Sequence, residues 1–187
     1  MRTNEEEIMN YKFDGAKVYF TSDTHFNHAN IIGFCNRPFK NVEEMNETLI
    51  TNWNRVVGVD DIVFHLGDFC LGGSAEWTNV LNRLNGKIYL IVGNHDIKNL
   101  RQGYYDRFEA ILMQMHIEIG KQKIYLNHCP FLCYGGGNRS AYKRLQTCGS
   151  GLLSCSGNWA TSAAMAPLRS RFSSTCREPS TMHYTSG

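Results

Sequence analysis

Three compact apolar runs recur in the first half of the chain, and each stops abruptly at polar residues able to bind a metal. Residues 17–22 (KVYFTS) lead into Asp23-Thr24-His25, residues 61–66 (DIVFHL) into Gly67-Asp68, and residues 87–92 (KIYLIV) into Gly93-Asn94-His95-Asp96. Short runs rich in β-branched and aromatic residues, closed by turn residues, predict buried strands. Between them the period changes. Residues 43–57 place Met45, Leu49, Trp53 and Val56 or Val57 along one face, which predicts an amphipathic helix with acids in its first turn. Glu76–Leu84 predicts a second helix, closed by Asn85-Gly86. Residues 115–120 and 123–127 predict a hairpin about Lys121-Gln122, whose second strand delivers His128.

Strand, polar cluster, helix, strand, polar cluster is the rhythm of an α/β protein. Loops at the carboxyl ends of neighbouring strands converge on one crevice, so residues far apart in sequence can meet. Each cluster alone has a plain reading. Asp23 can cap a helix with His25 facing solvent, Gly67-Asp68 can be an ordinary turn, and 93–96 an Asn-containing turn. Four clusters in this order, each following a strand, point to a single metal site. Carboxylate, imidazole and amide oxygen donors together suit manganese, iron, zinc or nickel. His28 and Arg37 follow the first cluster, and a guanidinium there could grip a substrate phosphate with two hydrogen bonds; a surface-loop arginine is the alternative. His65, inside an apolar strand, reads as a hydrogen-bonded core histidine, and His116 as a strand residue without a role. Tyr104, Tyr105 and Phe108 read as a core or surface aromatic cluster. Gly135-Gly136-Gly137 lacks the Lys and Ser/Thr of a phosphate-binding loop and reads as a flexible loop.

The ordered series D-x-H, G-D, G-N-H-D and a lone His, with the local text SDTHFNHANIIGFCNRPF, resembles the calcineurin-like metallophosphoesterase family in its small bacterial and phage branch. The resemblance covers about residues 15–137. It implies an α/β sandwich of two central β-sheets flanked by helices. It further implies that Asp23 and His25 hold one divalent ion, Asn94 and His128 a second, and that Asp68 bridges both. His95 would contact the phosphoryl group or protonate the leaving oxygen, and Asp96 would orient His95 by accepting its ring N–H. The implied activity is hydrolysis of a phosphomonoester or phosphodiester by a metal-bridging hydroxide. Two cations about 3.5–4 Å apart would neutralise the substrate and activate that water, with manganese the first candidate. The implied substrate is a small phosphorylated molecule or nucleotide, and nucleic acid enters only as a substrate.

The last part of the chain reads differently. Residues 1–137 hold 16 acidic and 13 basic residues, 20 Val plus Ile and two serines. Residues 138–187 hold ten serines, six Lys/Arg, one acid and no Val or Ile, so they offer little from which to build a strand. Such a break is what a shift of reading frame near Asn138 would leave; a disordered Ser-rich tail is the alternative. The family's closing Gly-His-x-His does not follow His128, and the one later histidine is His183. The fold is therefore expected to be incomplete at the C-terminus, with an unpaired sheet edge. A second function class follows: a catalytically silent metal-binding or interaction protein. The net charge of +2 suggests neither nucleic acid nor a membrane surface as a partner. The acidic N-terminus has no signal-peptide pattern, and no apolar run reaches membrane-spanning length. Seven cysteines without a CxxC pair read as reduced thiols of a cytoplasmic protein.

Overall fold

In the computed structural model, residues 11–12, 17–101, 106–119, 122–129, 142–145 and 166–167 are described. In chain order the elements are β1 (Tyr11–Lys12), β2 (Val18–Thr21), α1 (Ala29–Phe34), α2 (Val42–Val56), β3 (Ile62–His65), α3 (Ser74–Leu81) and β4 (Lys87–Ile91). They continue with α4 (Asp96–Leu100), β5 (Phe108–Leu112), β6 (Gln114–Ile119), β7 (Gln122–Asn127), β8 (Tyr142–Leu145) and β9 (Ala166–Pro167). The three apolar runs are β2, β3 and β4, as their composition predicts. They lie side by side and parallel, in register from Val18 beside Ile62 and Ile62 beside Lys87. Their carboxyl ends therefore open on one edge, which is where the polar clusters emerge.

The five-stranded sheet has the order β5-β4-β3-β2-β9, and the four-stranded sheet the order β1-β6-β7-β8. Alternation along each strand sends side chains into two cores. Tyr19, Val63, Ile88 and Leu90 meet Met45, Leu49 and Trp53 of α2 and Trp77 and Leu81 of α3. Val18, Phe20, Ile62, Phe64 and Ile91 meet Met115, Ile117, Ile124 and Leu126 of the second sheet. The result is an α/β sandwich, two sheets face to face with helices on the outer face of the larger one. Full burial of one such aliphatic or Phe side chain contributes roughly 1.5–3 kcal/mol, so the strand ends rest on a stiff base.

Helix α2 starts where the sequence puts it. The Asn41 side chain accepts the Glu44 amide, Glu43 and Glu44 lie in the first turn, and Arg55 in the last. The hairpin is present as antiparallel β6 and β7, with Ile119 paired to Gln122. Other elements were not foreseen. β5 extends the parallel sheet beyond β4, and its Phe108 packs in the core against Phe69 and Trp77. Helices α1 and α4 are single short turns without a repeating apolar face. Strands β8 and β9 pair with β7 and β2. Residues 142–145 and 166–167 thus form an edge strand of each sheet. Tyr104, Tyr105, Gly135–Gly137, Cys133 and His183 lie outside the described residues. Among the described residues, no helix is long and apolar enough to cross a membrane.

Candidate metal centre

The polar clusters do converge. Asp23, His25 and Asp68 bring ligand atoms within 4.8 Å of one another. The spacing from His25 Nε2 is 3.9 Å to Asp23 Oδ1 and 3.7 Å to Asp68 Oδ2. On the other side, His128 Nε2 lies 3.7 Å from the same Asp68 Oδ2 and 3.1 Å from Asn94 Oδ1. Asp68 therefore stands between two donor groups. One of its oxygens faces both; the other, Oδ1, accepts the His95 amide at 3.0 Å. His25, Asp68 and His128 form a buried floor, and Asn94 and His95 an exposed rim.

The loops holding these groups are conformationally unusual. Asp23, His25 and Asp68 all have positive φ, at 53°, 50° and 56°. Left-handed backbone at a non-glycine residue costs on the order of 1–2 kcal/mol, less for Asp. Gly67 at φ 96° and Gly93 make a close approach possible. A Cβ on Gly67 would sit 2.6 Å from His128 Nδ1 and 2.7 Å from the Gly93 backbone, and one on Gly93 would collide with Asp68. Glycine at both strand ends lets β3 and β4 bring Asp68 and Asn94 together.

The donor set fits a cation. The Nδ1–H of His128 donates to the Leu66 carbonyl at 2.8 Å, so in the neutral ring Nε2 carries the lone pair. That lone pair faces the Asn94 oxygen, in the amide orientation given, and the Asp68 carboxylate. In the neutral ring three acceptors converge at one place, an arrangement that a cation between them would stabilise. Burial pushes the His25 imidazole down to about 4, so it too is neutral and can act as a donor to metal near pH 7. Burial also raises the carboxyl of Asp23, partly opposed by its hydrogen bond to Ser22; bound metal would reverse this by favouring the charged form.

Two expected roles change. Asp96 does not hold the His95 ring. Its Oδ2 accepts the amides of Asp68 and Gly93, and its Oδ1 the amide of Phe69. A fully buried carboxylate is consumed in tying the β3 and β4 loops together, because the three N–H groups would otherwise be orphaned. Arg37 does not reach outward for phosphate. It is buried, and its guanidinium donates to the carbonyls of Thr24 and Asp23, both at 2.8 Å. It supports the strained first loop from beneath. His28, by contrast, lies at the site, with its ring 5.5 Å from that of His25 and 6.2 Å from that of His95. Its Nδ1 accepts the Ile31 amide and caps α1.

One participant was not anticipated. Gly67 N–H donates to His65 Nδ1, so the proton of the neutral ring is on Nε2 and is donated to Thr24 Oγ1, which in turn donates to the Phe69 carbonyl. This chain locks the first loop to the second. The middle residue of Asp-Thr-His carried the signal, a hydroxyl flanked by two ligands, but a hydroxyl there has many other uses.

A family model for calcineurin-like phosphoesterases matches residues 16–160. An uncharacterized protein of Methanocaldococcus jannaschii is 60% identical over 82 residues, covering 43% of this chain and 47% of its own. The Gene 66 protein of Mycobacterium phage L5 is 30% identical over 135 residues, covering 63% of this chain and 65% of its own. The chain thus spans about half the length of the first relative and just under two thirds of the second. Among solved structures, a protein of unknown function from Aquifex aeolicus superposes with a TM-score of 0.51 at 33% identity, covering 62% of this chain and 61% of its own.

Proposed function

The chain belongs to the calcineurin-like phosphoesterase family, and from that premise we propose that it hydrolyses a phosphomonoester or phosphodiester of a small phosphorylated molecule or nucleotide. The observation that carries this reading is Asp68 Oδ2, 3.7 Å from the Nε2 atoms of both His25 and His128. Two donor sets meeting at one carboxylate oxygen are suited to a pair of divalent ions. Such ions, manganese first and iron, zinc or nickel as alternatives, would neutralise the phosphoryl oxygens and supply an acidified water as nucleophile.

The residues divide the remaining work. Asp23 and His25 hold one ion, Asn94 and His128 the other, and Asp68 serves both. The Leu66 carbonyl fixes the His128 ring in the tautomer that offers Nε2. His95 stands on the exposed rim, 5.6 Å ring to ring from His25, where a substrate phosphoryl oxygen can meet it and where it can protonate the leaving oxygen. His28 Nε2–H supplies a second donor beside it. Asp96, Arg37 and the His65–Thr24 pair act only on the loops.

The test is hydrolysis of bis-p-nitrophenyl phosphate and p-nitrophenyl phosphate by metal-free protein before and after Mn²⁺ is added. Turnover should appear with the metal and fall by roughly 10²-fold or more in His95→Ala. Metal binding without turnover would favour the second reading, a silent metal-binding protein. One observation supports that reading: no Gly-His-x-His follows His128, so each ion would have three protein donors.

A further inference from the structure

We infer that Phe34 is a stacking platform for the nucleobase of a nucleotide phosphoester, which makes it a specificity-determining residue; this rests on the phosphoesterase reading above. Phe34 closes α1 and is 77% exposed, whereas Ile31 of the same helix is buried in the core. A phenyl ring so exposed contributes little to folding. Its position is what matters. Its ring lies 6.4 Å from that of His28, edge-on, and the His28 ring lies 6.2 Å from that of His95. The rings thus lead outward from the phosphoryl site to Phe34.

His28 caps the short helix that Phe34 ends; the Ile31 N–H donates to His28 Nδ1 and the Cys35 N–H to the Ile31 carbonyl. The backbone that carries both rings is therefore ordered before any ligand arrives. Beside the ring lies a groove of about 780 Å³, in which Asn30 and Lys40 offer polar groups next to the apolar Ile32 and Phe34. A planar, hydrogen-bonding ligand group fits this mixture; a bare sugar or alkyl phosphate would leave the phenyl ring in water. Every base has a π-face, and stacking on an aromatic side chain strengthens binding by roughly fivefold to a hundredfold.

The deciding quantity is a ratio of affinities. Calorimetry on the Mn²⁺-supplemented full chain would compare the 5′-phosphonate analogues of AMP and of ribose 5-phosphate, in which carbon replaces the ester oxygen and prevents hydrolysis. The adenosine analogue should bind at least about fivefold tighter. Phe34→Ala should bring the ratio close to one, and Phe34→Trp should retain it. Equal or undetectable binding of the two analogues, or a preference that survives in Phe34→Ala, would overturn the assignment. Kinetics separate this failure from failure of the phosphoesterase reading. The p-nitrophenyl esters of thymidine 5′-phosphate and of ethyl phosphate share a leaving group. Turnover of both at equal kcat/KM would reject the platform alone, whereas turnover of neither would reject the hydrolase.

Discussion

Asp96→Asn separates two roles for a buried carboxylate. In the fold, Oδ2 accepts the amides of Asp68 and Gly93, each at 2.8 Å, and Oδ1 that of Phe69 at 2.9 Å. An asparagine must present its NH₂ at one of these positions, so at least one buried N–H meets a donor instead of an acceptor. Stranding one buried polar group costs about 1–3 kcal/mol, and bonds to an ionised acceptor lie toward the upper end. The expected loss is about 2–3 kcal/mol for Asn, and about 4 kcal/mol or more for Ala, which strands all three amides. Urea unfolding of metal-free protein is the assay. It belongs at pH 8, because burial pushes the Asp96 carboxyl up to about 6 and the ionised form must dominate. The cost of burying that charge, which Asn removes, opposes the loss, so the figures given are upper values. If Asp96 instead served to orient His95, Asp96→Asn would lower turnover while leaving stability within about 0.5 kcal/mol. That outcome would refute the loop-tying account.

Three further outcomes follow from the same geometry. Burial pushes His65 down to about 3, below the usual 6.5, so its contribution is complete above pH 6.5 and is lost as pH falls toward 3. The slope is about 1.4 kcal/mol per pH unit; stability should drop by about 2 kcal/mol more between pH 7 and 5 in wild type than in His65→Gln, and parallel profiles would count against it. Gly67→Ala should destabilise by about 1–3 kcal/mol and weaken metal binding, since its Cβ would lie 2.6 Å from His128 Nδ1; an unchanged metal isotherm would argue that the close approach is unnecessary. Among the described cysteines, Cys129 is exposed while Cys70 is buried with its thiol pushed up to about 12, chiefly by burial. Iodoacetamide should label Cys129 first and Cys70 only on unfolding, and equal labelling rates would be inconsistent with this packing.

What the sequence revealed and what it concealed divide along physical lines. The strands β2, β3 and β4 were legible because most positions on both faces are buried and apolar, with the exposed Lys87 at the start of β4 and the polar Thr21 and His65 at the ends of β2 and β3. Helix α2 was legible because one face is buried over four turns. β5, with its sequence Phe-Glu-Ala-Ile-Leu, was not, since only Phe108 is buried and its alternation is weak. Single turns such as α1 and α4 leave no period to detect. At the site, the clustering of Asp23, His25, Asp68, Asn94 and His128 was legible because strand order alone brings their loops together. The work of Asp96 and Arg37 was not. A carboxylate or guanidinium beside ligands has the same sequence signature whether it faces substrate or backbone, and only three-dimensional placement distinguishes them.

Arg37 gives the same distinction a second test, with a different discriminating readout. The Asp23 and His25 backbones are held at positive φ, and strain of this kind persists only where surrounding bonds over-determine it. The Arg37 guanidinium supplies two such bonds, to the Asp23 and Thr24 carbonyls, from a residue that is 4% exposed. Lysine keeps the charge but not the planar fork, so Arg37→Lys should lose at least one charge-assisted bond, about 1.5–3 kcal/mol. The first ion should then bind more weakly, because relaxation of the loop moves Asp23 and His25 together. A phosphate-gripping arginine would behave otherwise: KM would rise while unfolding free energy and metal affinity stayed at wild-type values. Measuring all three on Arg37→Lys decides the matter, and a change confined to KM would return Arg37 to the substrate.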